Sequence, residues 1–137
     1  MAIIKQEFKE QGKITYYECD NGSWGKFLYD AQGNETYCEN SEGYWQKQEY
    51  DERSNLILST NSNGEVFKQT YNEQNKLTFV MYPNGYWKKW EYDENGNLTY
   101  CADYHGNFIK KKYDAQGNVI YYEDSEGVKR TYPINKK

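Results

Sequence analysis

The residues with types suited to covalent or acid–base chemistry are few: one histidine, His105, three cysteines, Cys19, Cys38 and Cys101, and the aspartates of a recurring Tyr-Asp pair. His105 stands before Gly106 where sister segments carry Asn-Gly, the place of a turn residue that tolerates positive φ. No second histidine supports a metal or general-base role. Cys38 and Cys101 share a phase with Tyr17 and Tyr122. Three repeats separate the two thiols, or ~29 Å along a sheet, which is beyond disulfide reach. Cys101 and His105 lie four residues apart at one hairpin end and do not make a nucleophile and its base. The Tyr-Asp aspartates recur at the spacing of turns, which Asp caps. The expectation is therefore a chain with no catalytic residues, no metal site and no cofactor.

Binding chemistry is better represented. Trp24, Trp45 and Trp87 share one phase, filled elsewhere by Val66 and Phe108, and Lys26, Lys47, Lys68, Lys89 and Lys110 share another. A lysine stripe interleaved with tryptophan can follow a phosphate backbone while rings stack on bases. The same rings can stack on sugars or hold a choline-like cation. Glu49 and Glu91 oppose the nucleic-acid reading, and the net charge is −4.

The elements that must position these residues follow from a 21-residue repeat. Gly22, Gly43, Gly64, Gly85, Gly106 and Gly127 are evenly spaced, as are Phe8, Tyr29, Tyr50, Tyr71, Tyr92 and Tyr113. The six repeats run over about 8–28, 29–49, 50–70, 71–91, 92–112 and 113–133, within one domain covering 1–137. Each repeat carries two turn signals. Asp93 to Asn97 and its sisters predict a three-residue loop with a glycine bulge. The Asn-Gly at 21–22, 63–64 and 84–85 predicts a two-residue type I′ turn, with Tyr104 opposite Asn107 across the His105-Gly106 variant. Runs rich in Tyr, Thr, Leu and Val between the turns predict strands. The fold class is all-β: an antiparallel meander of about 12 strands, forming one twisted, coiled or solenoid-like sheet.

These turns assign two faces. The first carries the Tyr29 series, the Leu56, Leu77, Leu98 and Val119 series, and the Tyr37, Leu58, Phe79, Tyr100 and Tyr121 series, joined by Phe27, Phe67, Trp90 and Ile109. It is expected to be the buried side, covered by the sheet's own curl or by a second copy. The second carries Trp24, Trp45, Trp87, the lysine stripe, Thr36, Thr78, Thr99, Glu49 and Glu91.

Glu91-Tyr92-Asp93-Glu94-Asn95-Gly96-Asn97-Leu98-Thr99, followed by Tyr113-Asp114-Ala115-Gln116-Gly117-Asn118-Val119, resembles the YD repeat of the RHS family. That resemblance implies a spiralling β-sheet, which in the family encloses or presents other polypeptides such as toxin domains. Six repeats are too few to close such a shell, so the fold carries over and the job does not. The Tyr- and Trp-rich variant from Glu39 to Trp45 also looks like small stand-alone repeat proteins of bacteria and their phages.

Composition bounds the rest. Mean hydropathy is −1.19 and hydrophobic content 36%, yet aromatic content is 18%, which argues against disorder. No long apolar run suggests a signal peptide or membrane span. An odd number of cysteines without zinc-like spacing points to a reducing compartment, the cytoplasm. The repeat decays between Ser54 and Pro83. The candidate partner-binding residues are therefore Leu56, Ile57, Val66, Phe67, Val80, Met81 and Tyr82, with Trp45, Trp87, Lys47, Lys68 and Lys89 on the second face. The function expected is a non-catalytic protein-binding module that occupies a partner's surface, with a phage-encoded inhibitor of a host defence nuclease as its narrower form. The alternatives are a glycan- or nucleic-acid-binding module using the Trp/Lys face, or a self-assembling structural repeat, dimeric through a sheet edge or the aromatic face. Lys5, Lys9 and Glu10 at one end, and Pro133, Lys136 and Lys137 at the other, look like edge guards.

Overall fold

The structure is a computed structural model and describes residues 1–133. Lys136 and Lys137, expected to guard the final edge, lie outside the described residues. The chain is all-β, an open antiparallel meander in which strand order equals sequence order. The strands are β1 (Ile3–Phe8), β2 (Ile14–Cys19), β3 (Trp24–Tyr29), β4 (Glu35–Asn40), β5 (Trp45–Tyr50), β6 (Leu56–Asn61) and β7 (Val66–Tyr71). They continue as β8 (Leu77–Met81), β9 (Trp87–Tyr92), β10 (Leu98–Asp103), β11 (Phe108–Tyr113), β12 (Val119–Asp124) and β13 (Lys129–Thr131). Among the described residues thirteen strands appear where about 12 were expected, because β1 precedes the first repeat. The chain divides into two compact units, Met1–Lys68 and Gln69–Lys137, with the boundary inside β7.

The turns correct the sequence reading. In the second turn type, Asp103 N–H donates to Asn107 O (3.0 Å) and Gly106 N–H to Asp103 O (3.1 Å). Asp93, Gly96 and Asn97 make the same pair of bonds at 2.9 and 3.0 Å. Asp103, not Tyr104, therefore stands opposite Asn107, and both turn types are the same three-residue loop with a glycine in the left-handed region. Among the described residues, the non-glycine residues at positive φ are Ser54 (65°) and Asn75 (62°), which replace that glycine in the two decayed turns. His105 and the asparagines of Asn-Gly are not among them, as a type I′ turn would require. Where Asp or Asn opens the loop its side chain supports this form. Asp103 Oδ1 accepts from His105 N–H (2.9 Å) and Asn107 N–H (3.1 Å), which pins the wider loop. The loops opened by Cys19 and Tyr82 form without such a side chain, with Asn21 and Asn84 Oδ1 accepting from the N–H of Ser23 and Tyr86.

A 21-residue period is odd, so each repeat needs one odd register for the same residues to return to the same face. A β-bulge supplies it. Leu98 pairs with Tyr92, but Tyr100 pairs with Glu91, leaving Thr99 as the extra residue. The same shift follows Glu35, Leu56 and Val119. Directly opposed residues share a face, so Tyr37, Leu58, Tyr100 and Tyr121 lie on the second face with the lysines, not on the first. Their neighbours Cys38, Ser59, Cys101 and Tyr122 take the first face instead.

The first face is not a closed core. Among the described residues the buried hydrophobic side chains are Cys19 and Val80. Tyr29, Tyr50, Tyr71, Tyr92 and Tyr113 are half-buried, whereas Phe8 at the head of the series is exposed. Tyr29, Tyr50, Tyr92 and Tyr113 hydroxyls donate to the backbone oxygens of Ile14, Glu35, Leu77 and Leu98 at 2.8, 2.8, 3.0 and 2.6 Å.

Candidate functional site

Within the first unit, the second face is built from Tyr16, Trp24 and Lys26, then Tyr37, Trp45 and Lys47, then Leu58, Val66 and Lys68. Each lysine stands directly opposite the residue that opens its row, as in Tyr16↔Lys26, Tyr37↔Lys47 and Leu58↔Lys68. Tyr16 and Trp24 stack at 6.4 Å. Lys26 and Lys47 place their ammonium groups over the Trp24 and Trp45 rings at 5.5 and 5.4 Å. Alternation along a strand puts Trp and Lys, two residues apart, on one side, and the lysine stem lies along the ring. Lys26 also reaches Glu39 at 3.9 Å.

The second unit repeats the arrangement. Phe79 stacks on Trp87 and Tyr100 on Phe108, both at 6.5 Å. Lys89 lies 5.8 Å from the Trp87 ring and 5.7 Å from Tyr100; Lys110 lies 5.4 Å from Phe108, and Lys112 lies 5.4 Å from Tyr121. A shallow hollow of about 850 Å³ runs beside these residues, edged by Glu91 and Glu123. Three lysines and three carboxylates line it, so it is balanced in charge rather than basic.

The candidate residues of the decayed repeats separate between faces. In the first unit, Val66 and Lys68 are on the second face with Trp45 and Lys47, while Leu56 and Phe67 are on the first; Ile57 is a bulge residue. In the second unit, Met81 stands opposite Trp87 on the second face, but Val80 is on the first and only 3% exposed. Val80 is therefore an interior residue and not a contact for a partner. Tyr82 is 42% exposed at a turn.

His105 packs in its exposed turn against Tyr86 and Tyr104, both at 5.5 Å. The three cysteines are free, and burial pushes the Cys38 thiol above its ordinary value, with Glu35 adding to the effect. The Tyr-Asp aspartates are turn caps. Burial pushes Asp30 up, but the N–H groups of Asn34, Gln32 and Gly33 and the Asn34 amide outweigh it and hold the carboxyl below its usual range. No group of three or more His, Cys, Asp or Glu able to hold a metal occurs among the described residues. Among the described residues no helix is long and apolar enough to cross a membrane.

Comparison with known proteins speaks to the fold. No family model matches the sequence, and no curated protein matches it. Solved structures do. The chain is similar to the crystal structure of TcdB2-TccC3-TEV, with a TM-score of 0.56 and 15% identity over 87% of this chain and 7% of that one. It is similar to TcdB2-TccC3 with a TM-score of 0.54 and 15% identity, over 87% of this chain and 8% of that one. The Photorhabdus luminescens Tc holotoxin pore gives 0.55 at 15% identity, over 87% and 7%. The fold is a β-hairpin repeat of the kind found within these toxin chains. The protein spans less than a tenth of their length, and at this identity the likeness is one of architecture.

The bulge was missed in the sequence, although a signal for its consequence was present. Asp103-Tyr104-His105-Gly106-Asn107 repeats the Asp-x-x-Gly-Asn pattern of Asp93 to Asn97.

Proposed function

We propose that this chain is a non-catalytic module that binds another protein, using the second face of its sheet, in a reducing compartment. One observation carries the reading. In each unit the rows of Trp or Phe, Tyr and Lys recur on one side of the sheet, with the rings partly exposed and the lysines exposed. Contiguous aromatic surface rimmed by charge marks interaction sites. The rings support a protein surface over a choline-like cation, because their faces already hold lysine ammonium groups. The interleaved Glu39, Glu49, Glu91 and Glu123 disfavour a phosphate backbone. A narrower form of the proposal is a phage inhibitor that blocks a host defence nuclease; the net charge of −4 is compatible with it.

The test is affinity capture from host lysate with the wild type and with Lys89→Glu/Lys110→Glu, two exposed side chains whose reversal leaves every turn intact. A single stoichiometric protein, captured by the wild type and lost with the charge reversal, supports the reading. Oligonucleotide binding that weakens steeply with salt would replace it with a nucleic-acid module. Capture of nothing, together with a stable dimer in solution, would replace it with self-assembly.

A further inference from the structure

The first face of the second unit holds a hollow of about 380 Å³ that the reading above does not use. It lies over a row that crosses four strands: Trp90, Cys101, Ile109 and Asp124 are paired in sequence across β9, β10, β11 and β12. Cys101 is the smallest side chain of the row and stands between two larger ones, which makes it the floor. In the first unit the equivalent row is Phe27, Cys38, Gln46 and Asn61. There Gln46 Nε2 donates to Ser59 Oγ (3.0 Å) across the equivalent place, and the row carries no charge.

Two independent features of the hollow point to one kind of ligand. Among the described residues, Trp90 is the one tryptophan with neither a stacked ring nor an ammonium over it; Trp24, Trp45 and Trp87 each hold a lysine at 5.4–5.8 Å. This sheet thus fills its indole faces with alkylammonium groups, and one is left open. The second feature is charge. Asp103, Asp124 and Glu126 line the hollow against the single cation Lys88, a net of two negative charges. Asp103 and Asp124 are fixed in place: Asn107 Nδ2 and Tyr122 Oη donate to their Oδ2 atoms at 3.1 and 2.9 Å. Lys88 lies opposite Asp103 in register, yet no ion pair joins them and its ammonium is not over Trp90.

We infer that this hollow is a binding site for an organic ammonium group, seated on the Trp90 ring with Tyr122 as the second wall and the carboxylates of Asp124 and Glu126 at the rim. The ammonium is carried either by a small quaternary amine or by a lysine side chain of a polypeptide. A half-exposed cation–π contact is weak on its own, so the titration runs to tens of millimolar. Lys88 is the built-in competitor.

The full chain is titrated with choline, and separately with a short Gly-Ala peptide bearing one Nε-trimethyllysine. The four indole N–H signals are followed by NMR, and the Trp90 signal is assigned as the one lost in Trp90→Leu. A saturable shift confined to the Trp90 signal is expected. By calorimetry, Glu126→Gln weakens binding and Lys88→Met tightens it, each roughly threefold. Tighter binding of the peptide than of choline assigns the group to a polypeptide, and the reverse assigns it to a small molecule. No shift of the Trp90 signal at tens of millimolar, equal shifts of all four signals, or weaker binding by Lys88→Met would each overturn the proposal. Glu126→Gln and Lys88→Met leave the turn caps intact, so the test stands even if Trp90→Leu does not fold.

Discussion

A single carboxylate placement recurs through the chain and gives it an acid sensitivity. Asp30, Asp51, Asp93, Asp103, Asp114 and Asp124 each open a turn and accept backbone N–H bonds from two and four residues on. All six are held below the ordinary value of 3.8; for Asp93 the largest cause is the Asn97 N–H, for Asp103 the Asn107 side chain. A carboxyl with a lowered folded pKa takes up its proton first in the unfolded chain. It contributes stability above about pH 4 that is lost as pH falls through the lowered folded values. Glu35 opposes this, since burial raises its pKa and acid relieves a penalty there. Six groups outweigh one, so Tm is expected to hold from pH 7 to 5 and to fall steeply below 4. In Asp93→Asn, which keeps the Oδ1 acceptor but cannot titrate, the fall is smaller. A flat Tm between pH 5 and 3 would contradict the capping account.

The strand pair is the unit in which the tyrosine ladder acts. Tyr92 sits at the end of β9; its hydroxyl bonds Leu77 O at 3.0 Å and the Lys76 ammonium covers its ring at 5.2 Å. Removing the hydroxyl alone, in Tyr92→Phe, is expected to cost about 1 kcal/mol. Removing the ring, in Tyr92→Ala, costs about 3 kcal/mol. Denaturant midpoints for the two variants check the split; equal midpoints would place the stabilisation in the hydrogen bond and not in ring packing. This rung was legible in the sequence, because Tyr92 and Leu98 flank a glycine turn whose geometry fixes their pairing. The position of Tyr100 was not. A two-residue turn at His105-Gly106 and a bulge at Thr99 both supply the odd register that a 21-residue period demands, and they differ only in the face given to residues 100–104. The candidate site inherited that ambiguity. The Trp/Lys rows were legible because they lie outside that segment, whereas Val80, Met81 and Tyr82 fall in the equivalent segment of their own repeat. The open ring of Trp90 was legible only as a first-face aromatic, since its lack of a lysine depends on Cys101 coming to stand beside it.

At the scale of the molecule, a strand order identical to sequence order means that each hairpin is bonded only to the hairpins before and after it. Such repeats add nearly independent increments of stability with nearest-neighbour interfaces. Duplicating residues 92–112 directly after Lys112 offers every strand the partners it already has, since Tyr113 is again preceded by a Lys112 equivalent. The enlarged chain is expected to fold, with unchanged circular dichroism per residue and a Tm equal to or above that of the parent. A 20-residue insert lacking its Thr99 equivalent differs by one residue but removes the odd register. Every residue beyond it would then turn the Tyr/Leu side where the Trp/Lys side belongs, setting the rows of one repeat against the wrong rows of the next. That insert is expected to lower the Tm below the parent's. Equal melting of the 20- and 21-residue inserts would mean that the bulge does not keep the two faces in phase, and that the aromatic–lysine rows owe their continuity to something other than register.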